Sequence, residues 1–262
     1  MIINFSDHIE KLQMVRSGKI KEGLKLDIPE IDEHFRFKTS NFNVILGHAN
    51  TGKTIKHNLK WLVFSSENEP YTLMKKMIEF MEGNVINKIE EKHFKNRSEF
   101  INEHFKFIDP QELYSYKNIL DLATELKKAW NYQGLLIDPF NSLIKDKDLS
   151  RTNTEALRKR HSDRHEYAGH PIPPMASDVE GGGKFVNRAD DFIVIHRYIQ
   201  HPTEWMNSLI HVRKVKDVDT GGRPTSIDSP IVLRSVKNNV GFEINGKNLL
   251  DLPKRVQTDL PF

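Results

Sequence analysis

The stretch Gly47, His48, Ala49, Asn50, Thr51, Gly52, Lys53, Thr54 constrains this chain more than any other part of it. It matches G-x-x-x-x-G-K-[ST] in full, and the apolar run Phe42–Leu46 before it reads as the strand that such a loop requires. The two glycines let backbone N–H groups close around phosphate oxygens. The Lys53 ammonium neutralises β- and γ-phosphate charge, and the Thr54 hydroxyl ligates Mg²⁺. A chance match in a chain of this composition has odds of roughly 1 in 100. Gly47 to Thr54 therefore reads as the binding site of ATP with Mg²⁺.

The rest of the pattern agrees with a fold built around that loop. Short apolar runs at Trp61–Ser65, Phe105–Ile108, Gly134–Asp138, Phe192–His196, Leu209–Arg213 and Ile231–Arg234 read as strands. Helical segments are expected near 70–81, through 84–106, over 118–130 and near 153–160. Strands that alternate with helices predict an α/β domain with a mostly parallel central sheet and helices on both faces. The later strand-turn-strand run predicts an antiparallel C-terminal edge, with Gly221 and Gly222 in a β turn. Residues 1–22 read as a helical arm with Ile9, Leu12, Met14 and Val15 in a stripe, and residues 246–262 as a tail.

Composition excludes several classes. The 262 residues contain no cysteine, which removes disulfide scaffolds, thiolate metal sites and thiol nucleophiles. No apolar run approaches membrane-spanning length, and the first residues lack the layout of a secretory signal, so a cytoplasmic protein without membrane contact is expected. A net charge of +3 tolerates a nucleic-acid partner without demanding one.

Two acids follow apolar strands in positions that suit phosphate chemistry. Asp138 ends Gly134–Asp138, where it could hold Mg²⁺ through water; a turn or helix cap is the structural alternative. Glu67 stands just past Trp61–Ser65, where a carboxylate could orient and deprotonate attacking water; the alternative is a cap for the helix that follows.

Phosphate loop, Glu67 and Asp138, in this order, resemble the RecA-like motor domain of DnaB- and Twinkle-type replicative helicases. Residues Phe64 to Met77 are similar to that family's strand–acid–helix segment. Pro174 to Asp190, with Glu180, Gly181 and Gly183, is similar to its fourth motif, whose loop faces single-stranded DNA. Lys214 and Lys216 match a Lys-x-Arg pair that reaches the neighbouring subunit's ATP, with Lys216 where the family has arginine and Arg213 close by. The resemblance covers residues 23–245 and implies a RecA-like P-loop NTPase core. It also implies a homo-oligomeric hexameric ring that translocates on single-stranded DNA, primase or other replisome proteins as partners, and a bacterial or phage-infected cell.

The sequence departs from the family twice. Only six residues separate Thr54 from Trp61, too few for a crossover between neighbouring parallel strands. Between Asp138 and Phe192 no apolar run supplies the family's strand ending in a polar sensor, with Arg160-His161 as the junction. Either segments are missing from the chain as written, or internal deletions impair the motor. Two other readings therefore stand beside the helicase: a RecA- or RadA-like recombination ATPase, and a nucleotide-binding module with impaired hydrolysis. The histidines at 161, 165 and 170 read as solvated loop residues, His196 and His211 as core or rim, and Thr258–Phe262 as a free end.

Overall fold

The computed structural model describes residues 5–19, 22–47, 59–111, 115–138, 143, 173–175, 183–236 and 240–251. The strands are β1 (Asn43–Gly47), β2 (Trp61–Ser65), β3 (Phe105–Ile108), β4 (Gly134–Asp138), β5 (Asp191–His196), β6 (Asn207–Val215), β7 (Ile231–Ser235), β8 (Phe242–Ile244) and β9 (Lys247–Asn248). The helices are α1 (Ile9–Arg16), α2 (Pro29–Asp32), α3 (Pro70–Glu82), α4 (Glu91–His104), α5 (Tyr116–Ala129), α6 (Gly183–Arg188) and α7 (Val218–Gly221).

The strands form two sheets, ordered β1-β5-β6-β7-β8-β9 and β3-β2-β4. Pairs β1·β5, β2·β3 and β2·β4 are parallel, and the run from β5 to β9 is antiparallel. Both expected halves, parallel and antiparallel, are therefore present, divided between two sheets. Because β1 and β2 do not pair, the short span from Thr54 to Trp61 is not asked to make a crossover between neighbours. Among the described residues β1 and β4 are edge strands of their sheets, each with one edge without a partner strand.

Strand β2 is apolar throughout because both of its faces are covered. Leu62 and Phe64 face Ile119 and Ala123 of α5, whereas Val63 faces Ile78 of α3 and Ile101 of α4. Helix α5 begins with a reciprocal cap: Asn118 N–H donates to Ser115 Oγ, and Ser115 N–H donates to Asn118 Oδ1. Helix α3 starts with Pro70 in its first turn and stops at Gly83, whose φ of 66° is left-handed. In the larger sheet all six residues of β5 are buried. Ile193 and Ile195 join Ile31, Phe35, Ile210, Val212, Val215, Ile231 and Leu233 in one core under α2.

Phe37, in the segment before β1, packs against Trp61 of β2 with ring centroids 5.5 Å apart, and Phe80 of α3 stacks on Phe242 of β8 at 6.0 Å. Three details differ from the sequence reading. Gly221 and Gly222 end the short helix α7 instead of making a β turn. Gly222 has φ 97°, and a Cβ there would stand 2.6 Å from the His34 carbonyl carbon, so glycine is required twice over. Residues 242–251 continue the fold as the β8–β9 hairpin and a 3-10 turn, so order extends past the expected boundary at 245. Third, α1 is helical as expected but buries no residue, and its stripe of Ile9, Leu12, Met14 and Val15 is exposed.

Candidate nucleotide site

Each element that carries chemistry ends where the next one is needed. Strand β1 delivers Gly47 at its carboxyl end, the start of the phosphate loop; His48, Ala49, Asn50, Thr51, Gly52, Lys53 and Thr54 lie outside the described residues. Parallel pairing of β2 and β4 sets Ser65 beside Asp138. The ladder then closes with Ser66 N–H donating to the Asp138 carbonyl at 3.0 Å. Asn68 N–H donates to Ser65 Oγ at 3.3 Å and turns the chain out of the strand. Glu67, between them, is exposed at the carboxyl ends of these strands. Its capping alternative is not realised, since Glu69 occupies the N-cap of α3.

Burial pushes the Asp138 carboxyl above its ordinary range, and the Glu67 charge adds to that shift. The fold thus brings together two carboxylates that repel each other, an arrangement that a divalent cation relieves. Among the described residues no cluster of three His, Asp or Glu could hold a metal alone. Mg²⁺ binds through one or two protein oxygens together with phosphate and water. Asp138 therefore fits as an acidic ligand for it.

The raised value has a testable consequence for stability. The unfolded chain ionises Asp138 more readily than the folded one, so ionised Asp138 detracts from folding as pH rises above the ordinary value of 3.8. Asp138→Asn is expected to raise the melting temperature of the ligand-free protein at pH 7, with the advantage vanishing below pH 3.8. The same variant should lose the extra stabilisation that Mg²⁺ and ATP give the wild type. Thermal melts with and without ligand measure both, and a ligand-free variant that melts lower than wild type would contradict the assignment.

Lys214 and Lys216 reach their places through a β-bulge. Ile193 pairs with Val212 but Phe192 pairs with Lys214, so Arg213 is an extra residue in β6. In a regular strand Val212, Lys214 and Lys216 would share one face. The bulge instead leaves Val212 and Val215 in the core under α2 and turns Lys214 to the opposite face. The break in spacing, apolar at 210, 212 and then 215, is the sequence signal for it.

The two lysines are engaged differently. Lys214 Nζ donates to the carbonyls of Val186, Asn187 and Ala189 at 2.8, 3.3 and 2.7 Å, capping the C-terminus of α6. Lys216 Nζ pairs with Asp190 Oδ1 at 2.6 Å, and its side chain is 68% exposed. Arg213 Nε is buried without a hydrogen-bond partner among the described residues. Gly183 opens α6, while Glu180 and Gly181 lie outside the described residues. His211 is buried, as read from the sequence; burial first, then the Arg213 and His196 charges, push it down to about 4, so it is neutral near pH 7.

Strand β5 measures how far the lysines stand from their own loop. Gly47 pairs with Ile195, whereas Lys216 N–H donates to the Asp190 carbonyl. Five strand residues at about 3.3 Å each separate these levels by roughly 17 Å. Gly47, where the loop begins, and the lysine pair of one chain therefore sit toward opposite ends of β5.

No protein-family model matches the chain. A Twinkle homolog protein, chloroplastic/mitochondrial, of Arabidopsis thaliana is 22% identical over 263 residues, covering 84% of this chain and 37% of that protein. The chain thus spans little more than a third of that relative's length. Among solved structures, an ATPase domain superposes with a TM-score of 0.65 at 14% identity, covering 92% of this chain and 99% of that one. A DnaB-like replicative helicase, described with its interactions with primase, superposes at 0.63 and 14% identity, over 92% of this chain and 67% of that one. These likenesses agree with the resemblance read from the motifs. Among the described residues no helix is long and apolar enough to cross a membrane.

Proposed function

We propose that this chain, which has the RecA-like fold of DnaB- and Twinkle-type helicase motor domains, is an ATP-hydrolysing motor that assembles into a ring on single-stranded DNA. The observation that supports this reading is the separation of Gly47 and the lysines along β5. Within one copy the lysine pair lies far along that strand from the residue where the loop that binds ATP begins. A complete site therefore needs a second copy, which supplies Lys216, and a hexameric ring closes that arrangement. The apolar stripe of α1, exposed among the described residues, is a surface that assembly could cover.

In this reading Lys53 and the loop amides of residues 47–54 hold the phosphates, and Thr54 and Asp138 hold Mg²⁺. Held there, Mg²⁺ would supply positive charge to offset that of the β- and γ-phosphates. Glu67 orients a water molecule and accepts its proton as the water attacks the γ-phosphorus and the bond to the leaving oxygen breaks. Lys216 of the adjacent copy stabilises the charge that builds on the γ-phosphoryl oxygens. Glu180, Gly181 and Gly183 contact the DNA backbone without reading sequence. Primase and other replisome proteins are the partners this reading implies.

ATP turnover with and without single-stranded DNA, together with electron microscopy of the assembly, tests it. Stimulated turnover and closed rings are expected. Open filaments would favour a RecA- or RadA-like recombination ATPase. Nucleotide binding without turnover would favour a nucleotide-binding module.

A further inference from the structure

We infer that Asp190 is a positioning residue for the reaction: its carboxylate aims the Lys216 ammonium and ties the strand bearing that lysine to the root of the phosphate-loop strand. The inference rests on the proposed action of Lys216 on nucleotide held by an adjacent copy.

Among the described residues Asp190 makes four hydrogen bonds, and they fall into two pairs. Toward the entry of β1, its N–H donates to the Phe42 carbonyl at 2.8 Å, and its Oδ2 accepts from Phe42 N–H at 2.8 Å. Toward the end of β6, its carbonyl accepts from Lys216 N–H at 2.9 Å, and its Oδ1 accepts from Lys216 Nζ at 2.6 Å. Each carboxylate oxygen thus serves one neighbouring segment. The Asp190 side chain is only 16% exposed against 68% for Lys216. A well-anchored anion therefore holds an exposed cation through one of its three N–H donors.

The comparison with Lys214 sharpens the assignment. Lys214 spends its ammonium on three carbonyls of its own chain, at the end of α6. Lys216 meets a single side-chain partner, so it is the member of the pair whose direction one residue decides. An exposed ion pair contributes little to stability, and the backbone bonds of Asp190 to Phe42 and Lys216 are independent of its carboxylate. Beyond its bond with Phe42 N–H, the carboxylate adds a preferred direction for a long, flexible side chain, which lowers the ordering cost when Lys216 meets the transition state. The Lys216 hydrogen bond and then the Phe42 N–H hold the Asp190 carboxyl below its ordinary range, so the anchor stays charged throughout the neutral range.

The test uses the full chain with ATP and single-stranded DNA. Asp190→Asn is expected to lower kcat at least tenfold with KM for ATP within about twofold, because the amide oxygen can still accept from Phe42 N–H at the root of β1 while its NH₂ cannot hold the Lys216 ammonium. Asp190→Glu, which keeps the charge, should recover part of the loss. Mixing Asp190→Asn subunits with Lys53→Ala subunits should give more turnover than the two give separately. In such rings an intact loop meets an intact Asp190–Lys216 pair across the interface. An unchanged kcat, a loss confined to KM, absent complementation, or an Asp190→Asn chain that no longer melts as a folded protein would each overturn the inference. Wild-type turnover with any of these results sinks the inference alone. A wild-type chain that neither assembles nor turns over ATP sinks the underlying reading and the inference with it.

Discussion

ATP turnover in a Glu67→Gln variant is expected to fall by roughly 10²–10⁴-fold, the usual contribution of a positioned general base, while nucleotide binding persists. The substitution keeps the shape and hydrogen-bonding reach of the side chain and removes only its charge. Glu67 is the exposed acid at the carboxyl ends of β2 and β4, whereas Asp138 is partly buried and has a raised pKa. That difference divides the labour. The buried acid gains most from a cation, and the exposed one is free to meet water. Binding of a fluorescent ATP analogue alongside single-turnover hydrolysis separates the two roles. Hydrolysis that survived in the variant would shift the base assignment away from Glu67.

The second large effect is expected at Lys216. Replacement by alanine should reduce turnover on the order of 10³-fold, the low end of what a finger cation contributes to phosphoryl transfer. Lys216→Arg should match or exceed the wild type, because a planar guanidinium can bond two phosphoryl oxygens at once where an ammonium acts as a point charge. Lys214→Ala is a different kind of change, since it strips three carbonyls at the end of α6 of their donor. Its main effect should be on melting temperature. Steady-state turnover and thermal melts on the three variants distinguish these outcomes. A Lys216→Ala protein within tenfold of wild type would remove Lys216 from the site.

Much of this arrangement was legible from local pattern. Strand β2 announces itself as an unbroken apolar run because two helix layers cover it, and Glu67 follows where the chain must leave the sheet. Asp138 is placed by the same logic, and their proximity follows from the parallel pairing of β2 with β4. Less visible was anything that depends on register. The extra residue at Arg213 is a non-local event, fixed by which residues of β5 lie opposite, and it alone decides that the lysines avoid the core. The hairpin at 242–248 was hidden because its strands are two and three residues long, too short for periodicity to register. Asp190 drew no role from sequence, because a carboxylate after a short helix has many uses. Its partners Phe42 and Lys216 lie far away along the chain.

The contact between Trp61 and Phe37 lends the molecule an internal optical probe. The indole sits where the sheet carrying Glu67 and Asp138 meets the one carrying the phosphate-loop strand, closely packed over Gly134. Its ring N–H is buried without a hydrogen-bond acceptor among the described residues. Emission from Trp61 should therefore lie toward the blue and respond to small shifts between the two sheets. With Trp130 and Trp205 replaced by phenylalanine, that emission could time each step of nucleotide capture and release without an added dye.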